Sequence, residues 1–410
     1  MSTQETTVVV GAGHAGAELV AALRQQQYAG RIILIGEEAY LPYRRPPLSK
    51  TYLSGEADRD SLLIRSAAAY DKLQVECLLD AEVTAIDRPG HRVLLGDGRA
   101  FEYSKLVLAT GGRPRRLADP AADRANVHYV RTLADIDRLK GDFVEGRRLL
   151  VIGGGYIGLE AASVGIKSGL QVTVLEAAPR LLARVAAPEL SSFYEQAHRK
   201  RGVDVRTGVG VDSFAGASRV ESVRLSDGSE LAVDLVVVGI GILPNDELAR
   251  EAGLEVDNGI VVDAYATTSA DPDVLAIGDC ARHVNGFLAR LIRIESVPSA
   301  QEQAKTAAAT ICGKPVAHAA VPWFWSDQFD LKLQMVGLSE GYDQLVLRGD
   351  PTAESFTAFY LQHGVVISVD AINRPQDFMV AKRLVAERAQ VDPQALADEG
   401  VALKSLLPSS

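Results

Sequence analysis

Two copies of one glycine pattern constrain this chain more than anything else in it. VVVGAGHAG (Val8–Gly16) stands near the start, and LLVIGGGYIG (Leu149–Gly158) repeats it. Each copy is an apolar, strand-like run leading into GxGxxG, then a helix-like stretch, then a second apolar run ending in acid. The acid is Glu37 in RIILIGEE and Glu176 in QVTVLE. A dinucleotide-binding turn needs this layout. The first glycine turns the chain tightly, the second lets backbone approach a pyrophosphate, and the third lets helix pack on strand. The helix N-terminus offers N–H groups to the phosphates, and the acid about 20 residues on takes the ribose hydroxyls. Two such sites in one chain point to electron transfer between two cofactors, with flavin plus nicotinamide as the obvious pair.

At 410 residues the chain has the length for roughly two to four domains with real cores. Its net charge of −10 argues against nonspecific nucleic-acid binding. Cys77, Cys280 and Cys312 form no CxxC or other close pair. That argues against a disulfide scaffold, a zinc site and a redox-active dithiol. The histidines show no ligand spacing, so no metal is expected. The opening MSTQETT lacks a charged stretch before an apolar core, and no apolar run reaches the ~18 residues of a membrane span. The expectation is a cytoplasmic protein with neither a nucleic-acid nor a membrane partner.

Residues 1–37 read as strand–turn–helix–strand, followed by a proline- and arginine-rich loop, LPYRRPPLSK (Leu41–Lys50). Asp97-Gly98 reads as a hairpin turn between RVLL and FEYSKLVLAT. Lys105–Ala109 enters Thr110-Gly111-Gly112 and a loop that marks a domain crossing. Residues 149–176 repeat the first unit, Ala187–Arg201 reads as a helix, and Asp227-Gly228 marks a hairpin placed as Asp97-Gly98 was. The two halves read as a structural duplication. Asp271–Ala281 is an apolar strand ending in Gly278-Asp279, and the segment after it becomes a helix closed by Gly313. From Val321, successive strand-like runs predict a β-rich C-terminal domain, with helices near 375–400 and a poorly ordered tail after Val401.

Together, GAGHAG, RPPLSK, LATGGRPR, GGGYIGLE, GIGILPN, LAIGDCA, RIESVPSA and PWFWSDQ resemble the FAD-dependent, NAD(P)H-linked pyridine nucleotide reductases. Among these the likeness is to the ferredoxin and rubredoxin reductases that feed oxygenases, and it covers nearly the whole chain. It implies an α/β fold: two Rossmann-like dinucleotide-binding domains, glutathione reductase-like, plus a C-terminal α+β domain. The implied boundaries are 1–112 and 244–320 for a discontinuous FAD-binding domain, 113–243 for an inserted NAD-binding domain, and 321–410 for the C-terminal domain.

The resemblance also implies site residues. Gly11, Gly13, Ala15 and Gly16 would hold the FAD pyrophosphate, with Glu37, or else Glu38, on the adenosine ribose. Arg44 or Arg45 would neutralise the diphosphate, because a guanidinium matches phosphate oxygens. Pro47 and Lys50 would lie against the isoalloxazine, and Ala109, Thr110, Gly111 and Arg113 would border the cofactor. Gly278 and Asp279 would meet the ribityl chain, Glu295, Ser296 and Val297 the pyrimidine edge, and Trp325 the ring and the electron exit. NADH would fall to Gly153, Gly155, Tyr156, Ile157, Gly158, Glu176 and Gly241, with Tyr156 bordering the nicotinamide pocket. Glu176 favours NADH over NADPH, since a carboxylate repels a 2′-phosphate and alanines follow it, although Arg180 and Arg184 stand near. Lys50 and Glu160, paired beneath the flavin, are the implied catalytic residues.

The implied activity is NADH-dependent ferredoxin reduction: hydride from NADH to FAD, then single electrons to a [2Fe–2S] ferredoxin supplying a cytochrome P450 or ring-hydroxylating oxygenase. Arg290, Arg293, Lys332, Arg374, Lys382 and Arg383 are candidates for docking an acidic ferredoxin. Taken singly, the residues have plainer readings. Glu160 alone is a solvated carboxylate near a helix start, Trp325 alone is core packing, and Cys280 is a small buried residue. Two other functions share the scaffold: an NADH oxidase or peroxide-reducing flavoenzyme, which would need an active cysteine, and a redox signalling flavoprotein like the apoptosis-inducing factors.

Overall fold

The computed structural model describes residues 5–408. The chain divides into two compact units. The first comprises Met1–Arg44, Asp60–Arg113 and Leu243–Phe324; the second comprises Arg45–Arg59, Pro114–Ile242 and Trp325–Ser410.

The first unit is centred on the strand Thr6–Val10. It pairs in parallel with Arg31–Ile35 on one side, Val10 opposite Ile35, and with Lys105–Leu108 on the other. Val75–Leu78 and Asp271–Ala276 extend the parallel core outward, and short strands complete a nine-stranded sheet. These strands are unbroken apolar runs because both faces are covered. Val8, Val9, Ile32 and Ile33 have no exposed surface, and burying each contributes roughly 1.5–3 kcal/mol. The sheet, not the glycine turn, therefore decides where the turn sits. The helix His14–Gln25 crosses between the first two strands and buries Leu19, Val20 and Leu23.

The second unit repeats this plan. Arg148–Ile152 pairs in parallel with Gln171–Glu176 and Leu235–Val238, and the helix Tyr156–Lys167 is the crossover. Both copies insert a three-stranded antiparallel sheet ahead of the strand that returns to the centre. In the first copy it is Val83–Asp87, Arg92–Leu95 and Ala100–Glu102; in the second, Val211–Ala215, Ser222–Leu225 and Glu230–Ala232. The expected duplication is present, with one refinement. FEYSKLVLAT is not one strand, because the chain leaves the small sheet after Glu102 and enters the large one at Lys105.

The C-terminal region forms a five-stranded sheet ordered Trp323–Gln328, Leu331–Gly337, Val365–Ile372, Ser355–Gln362 and Gln344–Asp350. The helices are Pro375–Ala386 and Pro393–Ala397. The expectation of a poorly ordered tail after Val401 is overturned as far as residue 408; residues 409–410 lie outside the described residues. Leu403–Leu406 forms a 3-10 turn with Leu403 buried. The buried Arg348 guanidinium donates to the carbonyls of Leu396, Asp398 and Val401 at 3.1, 2.6 and 3.0 Å. A buried cation whose Nη groups donate to backbone carbonyls ties down the segment that supplies them.

Candidate functional site

In the first unit, Gly11 has φ +116° and donates its N–H to the Ile35 carbonyl at 2.8 Å. A Cβ on Gly11 would lie 2.1 Å from the Ala109 carbonyl oxygen, and one on Gly16 would lie 2.2 Å from the Gly11 oxygen. A Cβ on Gly13 would meet nothing within 4 Å. The outer glycines are thus demanded by the protein's own packing, and the middle one faces the open space a phosphate would enter. The helix begins at Gly13 with no side-chain cap and no acid in its first turn, so its first N–H groups are offered to an anion.

The second unit reproduces this cradle. Gly153, at φ +109°, donates to the Leu175 carbonyl at 2.8 Å. A Cβ on it would approach the Gly239 oxygen to 2.4 Å, one on Gly158 would approach the Gly153 oxygen to 2.2 Å, and the nearest atom to one on Gly155 is 3.9 Å away. The helix starting at Gly155 likewise has no side-chain cap, and its first turn leaves Ile157 43% exposed. Both turns fit dinucleotides by this observation.

The two acids are not equivalent. Val10 is level with Ile35, and Ile152 is level with Leu175. Glu176 therefore stands where the first copy has Gly36, and Glu37 lies one residue further on. A side chain at Gly36 would strike Ala12, with Cβ atoms 2.6 Å apart. Glu37 is exposed, and Glu38 accepts the Tyr43 hydroxyl at 2.5 Å. The Glu176 carboxylate accepts the N–H groups of Gly154 and Ala178, each at 2.8 Å. Arg180 is tied to its own loop through the Ala183 and Ala186 carbonyls and the Ser191 hydroxyl. Arg184 lies near Gly241: a Cβ there would be 3.3 Å from its Nη2.

Within the second unit, the two prolines of RPPLSK open a 3-10 turn, Pro46–Ser49. The segment after it is clasped by the helix Leu133–Lys140. Tyr52 donates its hydroxyl to Asp137 at 2.6 Å, and the Lys140 ammonium sits 3.3 Å from the Tyr52 ring centroid. This holds Ser49 and Lys50 against the crossover helix. Lys50 Nζ lies 2.8 Å from Glu160 Oε1, the Ser49 hydroxyl donates to Oε2 at 2.6 Å, and the Ser326 hydroxyl donates to Oε1 at 2.6 Å. The Glu160 side chain is 1% exposed, so it is not a solvated helix carboxylate. All three partners donate, which is the pattern an ionised carboxylate takes. The Tyr156 hydroxyl, on the same helix, donates to Met335 Sδ at 2.9 Å, and burial raises its pKa well above that of an ordinary phenol.

The remaining expected residues have the following partners within each unit. In the first unit, a Cβ on Gly278 would lie 3.0 Å from Ala15 Cβ, so the turn carrying Asp279 abuts the first turn of the fingerprint helix. Ser296 caps the helix Val297–Ile311, and Glu295 pairs with Arg293 at 2.8 Å. Thr110 and Gly111 are gripped by Asn245: the Thr110 hydroxyl donates to the Asn245 carbonyl, and Asn245 donates back to the Thr110 carbonyl from its amide side chain and to the Gly111 carbonyl from its N–H. Arg113 donates to the same asparagine and pairs with Glu247. Arg44 donates to the Ser61 carbonyl in the first unit, whereas Arg45 belongs to the second and donates to the Arg131 carbonyl at 2.6 Å. Trp325 is half-buried on the strand that carries Ser326. Of the docking candidates, Arg374 pairs with Asp377 and Glu399, and Arg383 with Glu387.

Sequence reasoning missed Ser49, Ser326, Gln328 and Asn245, and also Gln303, whose side-chain oxygen accepts the Gly278 N–H at 2.9 Å. Only one signal was available for two of them: Ser326 and Gln328 alternate in FWSDQ, which places both on one strand face. Among the thiols, burial pushes Cys77 up to about 11 and raises Cys280 and Cys312 as well, so none is poised as a thiolate.

The pyridine nucleotide-disulphide oxidoreductase family model matches residues 5–304, and the reductase C-terminal model matches residues 323–407. The chain is 47% identical over 416 residues to putidaredoxin reductase CamA of Pseudomonas putida, with 100% of this chain and 98% of that one covered. It superposes at TM-score 0.95 and 47% identity on the reductase of a covalent putidaredoxin reductase–putidaredoxin complex, covering 98% of each chain. A ferredoxin reductase for the CYP199A2 system of Rhodopseudomonas palustris matches at TM-score 0.96 and 42% identity, covering 98% of this chain and 100% of that one.

Proposed function

We propose that this chain, which belongs to the pyridine nucleotide-disulphide oxidoreductase family, is an NADH-dependent ferredoxin reductase serving an oxygenase. One observation carries the reading: two glycine turns in one chain, each with its outer glycines closed by packing and its middle glycine open. The relatives, a putidaredoxin reductase and a ferredoxin reductase of a P450 system, support it. Bound FAD would supply the hydride acceptor and the one-electron donor, chemistry that no side chain here offers.

The protein's own residues would bind, orient and hold charge. Gly11, Gly13 and Gly16 would seat the FAD pyrophosphate, and Gly153, Gly155 and Gly158 that of NADH, at helix starts whose N–H groups favour phosphate. Glu176, at the lip of the second turn, would take the NADH ribose and repel a 2′-phosphate. The Lys50 ammonium, held by Glu160, would offset negative charge on a reduced ring. We assign FAD to 1–112 with 244–320, NADH to 113–243, and the ferredoxin-facing role to 321–410. The electron acceptor would be a [2Fe–2S] ferredoxin, and through it a cytochrome P450 or ring-hydroxylating oxygenase. Among the described residues no helix is long and apolar enough to cross a membrane, and we place the reaction in the cytoplasm.

The test is NADH-dependent cytochrome c reduction by the FAD-loaded protein, with and without a [2Fe–2S] ferredoxin. A large ferredoxin-dependent stimulation is expected. NADH consumption that ignores ferredoxin and yields peroxide or water would replace this reading with an oxidase.

A further inference from the structure

A line of buried polar side chains runs behind Glu160, and the pair with Lys50 does not account for it. Ser326 and Gln328, two apart on the strand Trp323–Gln328, turn the same face inward, and neither has exposed surface. The Ser326 hydroxyl is 2.6 Å from Glu160 Oε1, Gln328 Nε2 is 3.2 Å from Ser326 Oγ, and His198 Nε2 is 2.8 Å from Gln328 Oε1. His198 lies on the helix Pro188–Lys200, is fully buried, and its Nδ1 has no hydrogen-bond partner. Serine, an amide and imidazole are the groups able to donate on one side and accept on the other.

We propose that Ser326, Gln328 and His198 form a one-way chain of hydrogen bonds that positions the Glu160 carboxylate and, through it, the Lys50 ammonium. The three are positioning residues, and the proposal rests on the reading of Lys50 and Glu160 given above. The direction follows from the charged end. A carboxylate can only accept, so Ser326 donates to it, which leaves the Ser326 oxygen to accept from the Gln328 amide nitrogen. That orientation turns the Gln328 oxygen toward His198, whose Nε2 must then carry the proton. Burial pushes the imidazole down to about 4, so it stays neutral with Nδ1 bare. The reversed chain would take one donor from a buried carboxylate and leave an Nδ1–H buried without an acceptor. Hydrogen bonds to ionised groups are about twice as strong as neutral ones, so the forward direction wins.

The experiment has two readouts. Nitrogen-15 NMR of the FAD-loaded protein is expected to show His198 neutral with its proton on Nε2 between pH 5.5 and 8, and to show that preference weakened in Gln328→Met. In stopped-flow reduction by NADH, Ser326→Ala and Gln328→Met should each slow the limiting rate roughly tenfold at unchanged NADH affinity. The double variant should be no slower than Ser326→Ala alone, because the chain acts as a unit. Ser326→Thr, which keeps the hydroxyl, should recover most of the rate. A proton on Nδ1 in the unaltered protein, additive losses, or variants that reduce at the parent rate would each overturn the proposal. If Gln328→Met does not fold, the His198 tautomer and the Ser326 pair still decide. Lys50→Met separates the two levels. If it is slow while the Ser326 and Gln328 variants are not, only the chain falls; if it too reduces at the parent rate, the role of the Lys50–Glu160 pair falls with it.

Discussion

The ammonium of Lys50 sits 2.8 Å from the carboxylate of Glu160, with the lysine side chain 17% exposed and the glutamate 1%. The two come from segments far apart in the chain. Coulomb attraction is stronger in such a place than in water, and losing either partner would leave a costly group behind. Ser49 and Ser326 remain as donors to Glu160 when Lys50 is removed, so the lysine can be varied with the site still assembled.

Lys50→Met should slow flavin reduction by about tenfold or more without emptying the FAD site. Stopped-flow absorbance at the flavin band measures the rate, and the visible spectrum of the purified variant reports occupancy. A parent-like reduction rate would remove Lys50 from the mechanism.

The glycine turns separate binding from folding. Gly13→Ala places its methyl in open space and should leave the apoprotein's stability within about 1 kcal/mol of the parent, yet weaken FAD binding at least about tenfold. Gly11→Ala puts a Cβ against the Ala109 carbonyl and should cost folding itself. Apoprotein melting and FAD titration distinguish the two. Equal effects of both on stability would contradict the geometry.

Glu176→Ala should shift the ratio of kcat/KM for NADH over NADPH by about tenfold toward NADPH, since the carboxylate at the Gly154 N–H is lost while Arg184 remains close to Gly241. Steady-state kinetics with both nucleotides tests this, and an unchanged ratio would refute the assignment.

Asp370 is fully buried, accepts the Tyr360 hydroxyl at 2.7 Å, and has its other oxygen without a partner. Burial raises its pKa to about 7 from 3.8. The folded state therefore holds a proton that the unfolded state releases above pH 3.8. This contribution to stability is full below about pH 4 and is lost as pH rises toward and through 7. Asp370→Asn should abolish the loss, so the variant should gain about 3–4 kcal/mol on the parent between pH 4 and 8. Denaturant midpoints of both proteins across that range measure it; a difference that does not change with pH would show Asp370 to be ionised throughout.

With all three thiols raised by burial, alkylation at pH 7 should leave NADH-dependent ferredoxin reduction within about twofold of the untreated protein. Loss of turnover in step with thiol modification would favour the peroxide-reducing alternative.

Both fingerprints, the Asp-Gly hairpins at 97–98 and 227–228 and the helix closed by Gly313 were legible in the sequence; the first strand of each three-stranded insertion, Val83–Asp87 and Val211–Ala215, was not. The legible features depend on neighbours within one turn or one hairpin: a glycine that must bend, an Asp-Gly reversal, a glycine that closes a helix. The acids after the second strands were legible as acids but not as positions. Glu37 and Glu176 look alike in sequence, and only strand register sets them one residue apart. The tail after Val401 was misread because nothing near it announces Arg348.

The sequence by itself determined that the chain folds as a duplicated strand–turn–helix–strand plan with two dinucleotide turns, because backbone sterics and strand burial act locally. Tertiary structure alone decided which polar side chains meet. It brought Ser49, Lys50 and Ser326 to Glu160, set Gln328 and His198 behind them, and split Arg44 from Arg45 between two units. The physical reason is that a buried charge must be satisfied by whatever donors the packed fold delivers to it, and those donors come from distant segments whose meeting no local pattern encodes.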